Sequence, residues 1–184
     1  LDQTEGSVIT ENVINSFSES ALNHLYGITA HHAKIISNNT IDFPLADFHI
    51  YPVRSNYVQD SIFNNSITVY SETSSADDIH LIESTNSKIN QNTITYINTG
   101  GGQCNNNMIG ITSNSSDIIN NIIIINSQAR PCDRRRAIFS YGYDTITTIS
   151  DNTIEVNNRT ASIDAGFSII TNNIITGVQF ENIG

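Results

Sequence analysis

Ile89-Asn-Gln-Asn92-Thr-Ile94 is the clearest copy of a phrase that recurs through the chain: an isoleucine, two residues, an asparagine, one residue, an isoleucine. The earlier copies are Ile9-Thr-Glu-Asn12-Val-Ile14, Ile36-Ser-Asn-Asn39-Thr-Ile41 and Ile62-Phe-Asn-Asn65-Ser-Ile67. The later ones are Ile118-Ile-Asn-Asn121-Ile-Ile123, Ile149-Ser-Asp-Asn152-Thr-Ile154 and Ile170-Thr-Asn-Asn173-Ile-Ile175. Successive asparagines lie 27, 26, 27, 29, 31 and 21 residues apart, a period that signals a solenoid. Isoleucine and threonine are β-branched and favour strands, whereas Asn-Asn and Asp-Asn favour tight turns. Asparagine also enters the left-handed backbone region more readily than most other side-chain-bearing residues. Each phrase therefore predicts a strand ending, a sharp two-residue corner and a second strand starting. Stacked about 4.8 Å apart, the phrases put asparagine over asparagine, where the amides can form a ladder, and isoleucine over isoleucine inside. The expected fold is all-β, a parallel β-helix of about seven coils, one per phrase.

Two further columns support that register. Four residues after each ladder asparagine stand Ser16, Phe43, Val69, Tyr96, Ile125, Val156 and Gly177, mostly apolar and predicted to point inward. Immediately after it stand Val13, Thr40, Ser66, Thr93, Ile122, Thr153 and Ile174, a mixed set predicted to point outward. A further strand is expected in each coil at Leu25–Ile28, Phe48–Tyr51, Ile79–Ile82, Met108–Ile111, Ala137–Ser140 and Ala161–Ile163. Ser18 to Leu25 is the one stretch that would accept a helical turn.

The 184 residues make one domain's worth of chain, 1–184, with enough length for a sizeable core. Charged residues are 14%, against ~25% in typical globular proteins, which argues against intrinsic disorder. The net charge of −10 argues against a nucleic-acid-binding face. No stretch approaches the ~20 apolar residues of a membrane span. The longest apolar run, Ile118 to Ile125, is interrupted by Asn120-Asn121. Leu1-Asp-Gln-Thr-Glu5 does not resemble a signal peptide. The phrase is already running at Ile9 and still running at Ile175, and neither end carries an obvious capping turn. The expectation is a segment of a longer protein or an oligomer.

The longest excursions from the repeat, Pro44 to Asp60, Ser71 to Asp78, Asn98 to Asn107 and Asn126 to Arg136, fall in consecutive coils and suggest one built-up side. His49, Asp78, Asn107 and Arg136 stand 16, 14, 14 and 16 residues before their ladder asparagines, so they are expected in nearly one column. With Asp77 and Arg134 beside them, they make a polar strip suited to a sugar chain lying along the axis. Asp77 and Asp78 are candidate catalytic carboxylates, since glycoside hydrolysis needs a pair that neighbouring rungs can supply. Lyase chemistry would need a base and a cation instead. The plainer readings are an acidic turn for Asp77-Asp78 and a solvated loop for Arg134-Arg-Arg136. Tyr141-Gly-Tyr143-Asp144 offers two aromatics for stacking on sugar rings and a third carboxylate, or else a tyrosine pair covering the core edge.

Cys104 and Cys132 are 28 residues apart, about one coil, so a disulfide across neighbouring rungs is within reach. If formed it implies an oxidising, extracellular setting, and the alternative is two unrelated thiols. His31-His32 would face opposite sides of a strand and cannot chelate one metal together, so no metal and no cofactor is expected. Lys34 and Asp60 share a column and predict a rung-to-rung ion pair.

The Ile-x-x-Asn-x-Ile phrase, carried across nearly the whole chain, resembles the repeats of right-handed parallel β-helix proteins of the pectin-lyase-like superfamily. That group includes pectate lyases, polygalacturonases, alginate epimerases and phage tailspikes. Asp77-Asp78-Ile-His-Leu-Ile82 is similar to the paired-aspartate strand of polygalacturonases, whose Gly-His-Gly in the following coil stands here as Met108-Ile-Gly-Ile111. Tyr141-Gly-Tyr-Asp144 resembles the opening of the alginate epimerase motif, with Thr145-Ile146 in place of Pro-His. The resemblance implies binding of an extracellular or cell-surface polysaccharide, with a lyase or glycoside hydrolase activity. It also implies a homotrimer, if the chain is of tailspike type. The alternative is a non-catalytic β-helix: an adhesin, a surface protein or a virion structural part.

Overall fold

The structure, a computed structural model, describes residues 2–3, 6–17, 24–45, 49–56, 61–72, 78–100, 107–128, 135–141, 146–157 and 161–177. Three strands make each turn: the two that flank the phrase's corner and the further one expected ahead of it. The first turn holds β1 (Asp2–Gln3), β2 (Val8–Thr10) and β3 (Val13–Phe17). The second holds β4 (His24–His31), β5 (Ile35–Ser37) and β6 (Thr40–Leu45), and the third β7 (His49–Asn56), β8 (Ser61–Phe63) and β9 (Ser66–Ser71). The fourth holds β10 (Asp78–Thr85), β11 (Lys88–Asn90) and β12 (Thr93–Asn98). The fifth holds β13 (Asn107–Asn114), β14 (Asp117–Ile119) and β15 (Ile122–Ser127), and the sixth β16 (Arg135–Ser140), β17 (Thr147–Ser150) and β18 (Thr153–Val156). The seventh holds β19 (Ala161–Ala165), β20 (Ser168–Thr171) and β21 (Ile174–Thr176).

Corresponding strands of successive turns pair in parallel, giving three sheets of seven strands. The first sheet begins β1-β4-β7, the second β2-β5-β8, and the third runs from β3 to β21. The chain is therefore a parallel β-helix, with no helix among its described residues. His24 onward is strand, not helix, and residues 18–23 lie outside the described set. Of the excursion expected at Pro44 to Asp60, Pro44 and Leu45 end β6 and His49–Asn56 form the strand β7.

The second and third sheets meet at the corner that each phrase encodes. The residue before the ladder asparagine takes the left-handed conformation: Glu11, Asn38, Asn64, Gln91, Asn120, Asp151 and Asn172 have φ between 53° and 58°. The ladder asparagine then gives its backbone N–H and one Nδ2 hydrogen to the Oδ1 of the next. Asn65 N and Nδ2 reach Asn92 Oδ1 at 3.0 and 2.9 Å, and Asn92 reaches Asn121 Oδ1 at 3.0 Å from both atoms. The same link continues from Asn121 to Asn152 and on to Asn173. The other amide hydrogen points back one turn, as from Asn92 Nδ2 to Ile62 O at 2.9 Å. Side chains so deeply buried need every donor matched, and this arrangement matches them.

The expected columns are as read. Val13, Thr40, Ser66, Thr93, Ile122, Thr153 and Ile174 are all exposed. Phe43, Val69, Tyr96, Ile125 and Val156 are buried, while at the two ends of that column Ser16 is half-buried and Gly177 is exposed. Phrase isoleucines from Ile36 to Ile154 fill the interior. A second corner, between first and second sheets, uses His32, Asn86 and Ser115 at φ 52° to 57°. His31 and His32 are thus a strand end and a corner residue, not two strand neighbours facing opposite sides.

Candidate functional site

The outward face of the first sheet holds the expected polar column, with one correction. His24, His49, Asp78 and Asn107 are level in β4, β7, β10 and β13. Arg136 is not in that line: it pairs with Ile109 on one side and Ala161 on the other. Counting back from Asn152 misplaced it because the extra length of the sixth turn lies between β16 and β17, at residues 141–146, after the strand and not before it. Asp77, Asp144, Arg134 and Tyr143 lie outside the described residues, as do Cys104, Cys132 and the Asp60 expected beside Lys34. Arg135 turns into the solenoid and is only 2% exposed, so the basic run is not one exposed patch.

Asp78 is the hub of what the face does bring together. Its Oδ2 accepts a short hydrogen bond from the Tyr51 hydroxyl in the turn below. Its Oδ1 lies 2.8 Å from Asn107 Nδ2 in the turn above and 3.0 Å from His80 Nε2 on its own strand. On the far side of the ring, His80 Nδ1 lies 2.8 Å from Thr112 Oγ1. An ionised carboxylate can only accept, so His80 Nε2 carries the proton toward Asp78, while the Thr112 hydroxyl, able to donate or accept, holds Nδ1 on the other side of the ring. Asn107 Nδ2, at 3.2 Å from Nε2, is then a neighbour of that proton and not its partner.

Burial alone would push the Asp78 carboxyl up. Hydrogen bonds from His80 and Tyr51, the charge interaction with His80 and the Asn107 amide outweigh it and hold the group well below the ordinary carboxylate range. Burial, and then the bond to Asp78, drive the Tyr51 phenol the other way, far above its ordinary value. The pair therefore rests as carboxylate and neutral phenol. A carboxylate with both oxygens engaged is a weak base and has no proton to give, so Asp78 suits organisation of the face better than proton transfer.

Around this hub the face is aromatic and charged. Tyr26 stacks on Tyr51 with ring centroids 5.3 Å apart and planes 13° from parallel, and it is 42% exposed. The Arg54 guanidinium lies 5.1 Å over the Tyr51 ring. Arg54 Nε also sits 3.0 Å from Glu83 Oε2, in ionic contact but off the N–H direction. A shallow cavity of about 160 Å³ beside it is lined by Thr29, Ala30, His31 and Arg54. A second, smaller cluster lies in the sixth and seventh turns. Arg136 pairs closely with Asp164 and covers the Phe139 ring at 4.6 Å, and Tyr141 meets Phe139 edge-on at 4.7 Å. Tyr141 is exposed, beside an outward ring instead of over the core edge.

Tyr26, Tyr51 and His80 were missed by the sequence reading, yet a signal was there. Each stands two residues after a member of the polar column, His24, His49 and Asp78, and period two along a strand keeps residues on one face. The chain matches no protein-family model, no curated protein and no solved structure.

Proposed function

We propose that the outward face of the first sheet binds a polysaccharide of extracellular or cell-surface origin, with the polymer lying along the solenoid axis. The observation that carries this reading is the stacked Tyr26–Tyr51 pair beside Arg54 and the Asp78 hub. Flat aromatic rings bind the apolar faces of sugars, and neighbouring charged and amide groups take the hydroxyls or acidic substituents. Successive rungs repeat at about 4.8 Å, comparable to the length of one pyranose unit, so one sugar per turn is a natural register. A secreted, cell-surface or virion setting goes with such a ligand, and the sequence resemblance to pectin-lyase-like proteins supports the same choice. Whether the chain also cuts the polymer turns on Asp77 and Asp144 as much as on Asp78. The saturated hydrogen bonding of Asp78 favours the second reading, a non-catalytic adhesin or structural β-helix.

Affinity electrophoresis against capsular, pectic and alginate polymers, run beside a reducing-end assay, tests both. Binding is expected to at least one polymer, and Tyr26→Ala should weaken it about five- to tenfold, the scale of one lost aromatic contact. Retention of none of the polymers removes the binding proposal. Binding without release of reducing ends, with Asp77→Ala and Asp78→Ala leaving retention unchanged, removes the enzymatic one.

A further inference from the structure

One assembly of four parts occurs twice on the outward face of the first sheet. In the lower copy the Arg54 guanidinium covers the Tyr51 ring at 5.1 Å. Glu83, level with Arg54 in the next turn, lies 3.0 Å from its Nε, and Tyr26 stacks on Tyr51 at 5.3 Å. In the upper copy the Arg136 guanidinium covers the Phe139 ring at 4.6 Å. Asp164, level with Phe139 in the next turn, pairs closely with Arg136, and Tyr141 meets Phe139 edge-on at 4.7 Å. In both copies arginine and inner ring stand three residues apart on one strand, in opposite order. Each therefore presents an exposed tyrosine beside a ring held by an arginine, whose charge is matched by a carboxylate. The duplication is not the solenoid repeat: the same columns hold His80 and Glu83 in the fourth turn and Ile109 and Thr112 in the fifth.

The exposed tyrosines belong to the second and sixth turns, so about 19 Å separates them along the axis at the usual strand spacing. At about one sugar per rung, a chain of about five units reaches both. Between the clusters His80, Ile109 and Thr112 are buried and offer a ligand little to grip, so its hold is concentrated at the two ends. Charge decides the kind of chain. The described side chains of this face set two arginines, each already matched, against three carboxylates, Asp78, Glu83 and Asp164. The whole protein carries a net charge of −10, so a uronic or sulfated polymer would meet repulsion. Arginine–carboxylate pairs instead give sugar hydroxyls both donors and acceptors.

We propose, on the reading of this face as a polysaccharide-binding surface, that the Tyr26 and Tyr141 clusters are two subsites for one neutral glycan chain of about five or more sugar units. Occupying one subsite makes capture at the other intramolecular, so affinity rises in a step once the chain spans both.

Calorimetric titration with neutral gluco-, xylo-, manno- and galacto-oligosaccharides of graded length, beside pectic and alginate oligomers, tests this. The neutral series that binds should gain about tenfold or more in affinity between about three and about five units. Tyr141→Ala and Tyr26→Ala should each abolish that gain. The trimer, held at the intact cluster, should keep its affinity within about twofold in both variants, which also shows that the fold is kept. A gain that is absent, or that survives Tyr141→Ala, overturns the paired subsites and leaves the polysaccharide reading standing. Acidic oligomers bound more tightly than neutral ones of the same length overturn the proposal through its charge. No oligomer bound, with a polymer still retained in electrophoresis, overturns the proposal alone. No oligomer bound and no polymer retained removes the polysaccharide reading as well.

Discussion

Asp78 shows how a single side chain changes meaning between sequence and structure. In the sequence it is half of an acidic pair. In the fold it accepts from Tyr51, His80 and Asn107, three residues drawn from three consecutive turns. Its removal leaves a buried phenol and a buried imidazole without an acceptor. Asp78→Asn should therefore destabilise the fold by about 1–3 kcal/mol, read from the urea midpoint at neutral pH. The pH dependence has a definite sign. The folded pKa of Asp78 is depressed, so its contribution is present above the unfolded value of ~3.9 and is lost as pH falls through the folded value. The acid limb of the wild-type stability curve should fall below about pH 4–5, and Asp78→Asn should flatten it. Equal acid limbs in the two proteins would show that the hub does not hold the carboxylate as described. The column of His49, Asp78 and Asn107 was read in advance, whereas Tyr51 and His80, two residues further along their strands, were passed over because that column acquires significance only once rungs are stacked.

At the scale of the element, the corner and the close-packed glycine of β13 are the parts with least tolerance. Asn92 supplies the acceptor for two donors of Asn65 and itself donates to Asn121 and to the Ile62 carbonyl. Asn92→Ala should cost about 3 kcal/mol or more, since several buried groups lose partners at once. Asn12→Ala, in the first turn and half-buried, should cost less than about 1 kcal/mol. Denaturant midpoints of the two variants check the contrast, and similar losses would contradict the ladder as the source of corner stability. Gly110 lies within β13, between the register pairs at Ile109 and Ile111. A Cβ there would meet the Ala137 carbonyl at 2.6 Å and an Ile123 methyl at 3.1 Å. Gly110→Ala should therefore cost about 1–3 kcal/mol through forced backbone movement, visible as a lowered thermal midpoint. The elements were largely legible because their cause is local: β-branched residues alternate around a corner residue with positive φ. Arg136 was misplaced for an equally plain reason. Loop length on either side of a strand is interchangeable in a count but not in space.

Across the whole molecule, stability should be graded along the axis. A solenoid's turns touch only their neighbours, so its stability is close to a sum of turn-to-turn contacts. The middle turns bury their phrase isoleucines completely, whereas Ile170 and Ile175 in the last turn remain exposed. Hydrogen exchange should accordingly show the strongest protection in β9, β12 and β15 and the weakest in β19 to β21. A uniform profile would mean that the seven turns unfold as one cooperative unit.

The chain by itself determined the parallel β-helix, the asparagine ladder and the inward and outward columns. It could do so because these follow from a repeated local pattern whose register is set anew at every corner. Only the tertiary structure decided which loop residues share a level, that Arg135 points inward, and that Tyr51 and His80 converge on Asp78. Apart from His80, which shares a strand with Asp78, the partners meet from about one turn away, and their alignment depends on where each turn hides its extra length.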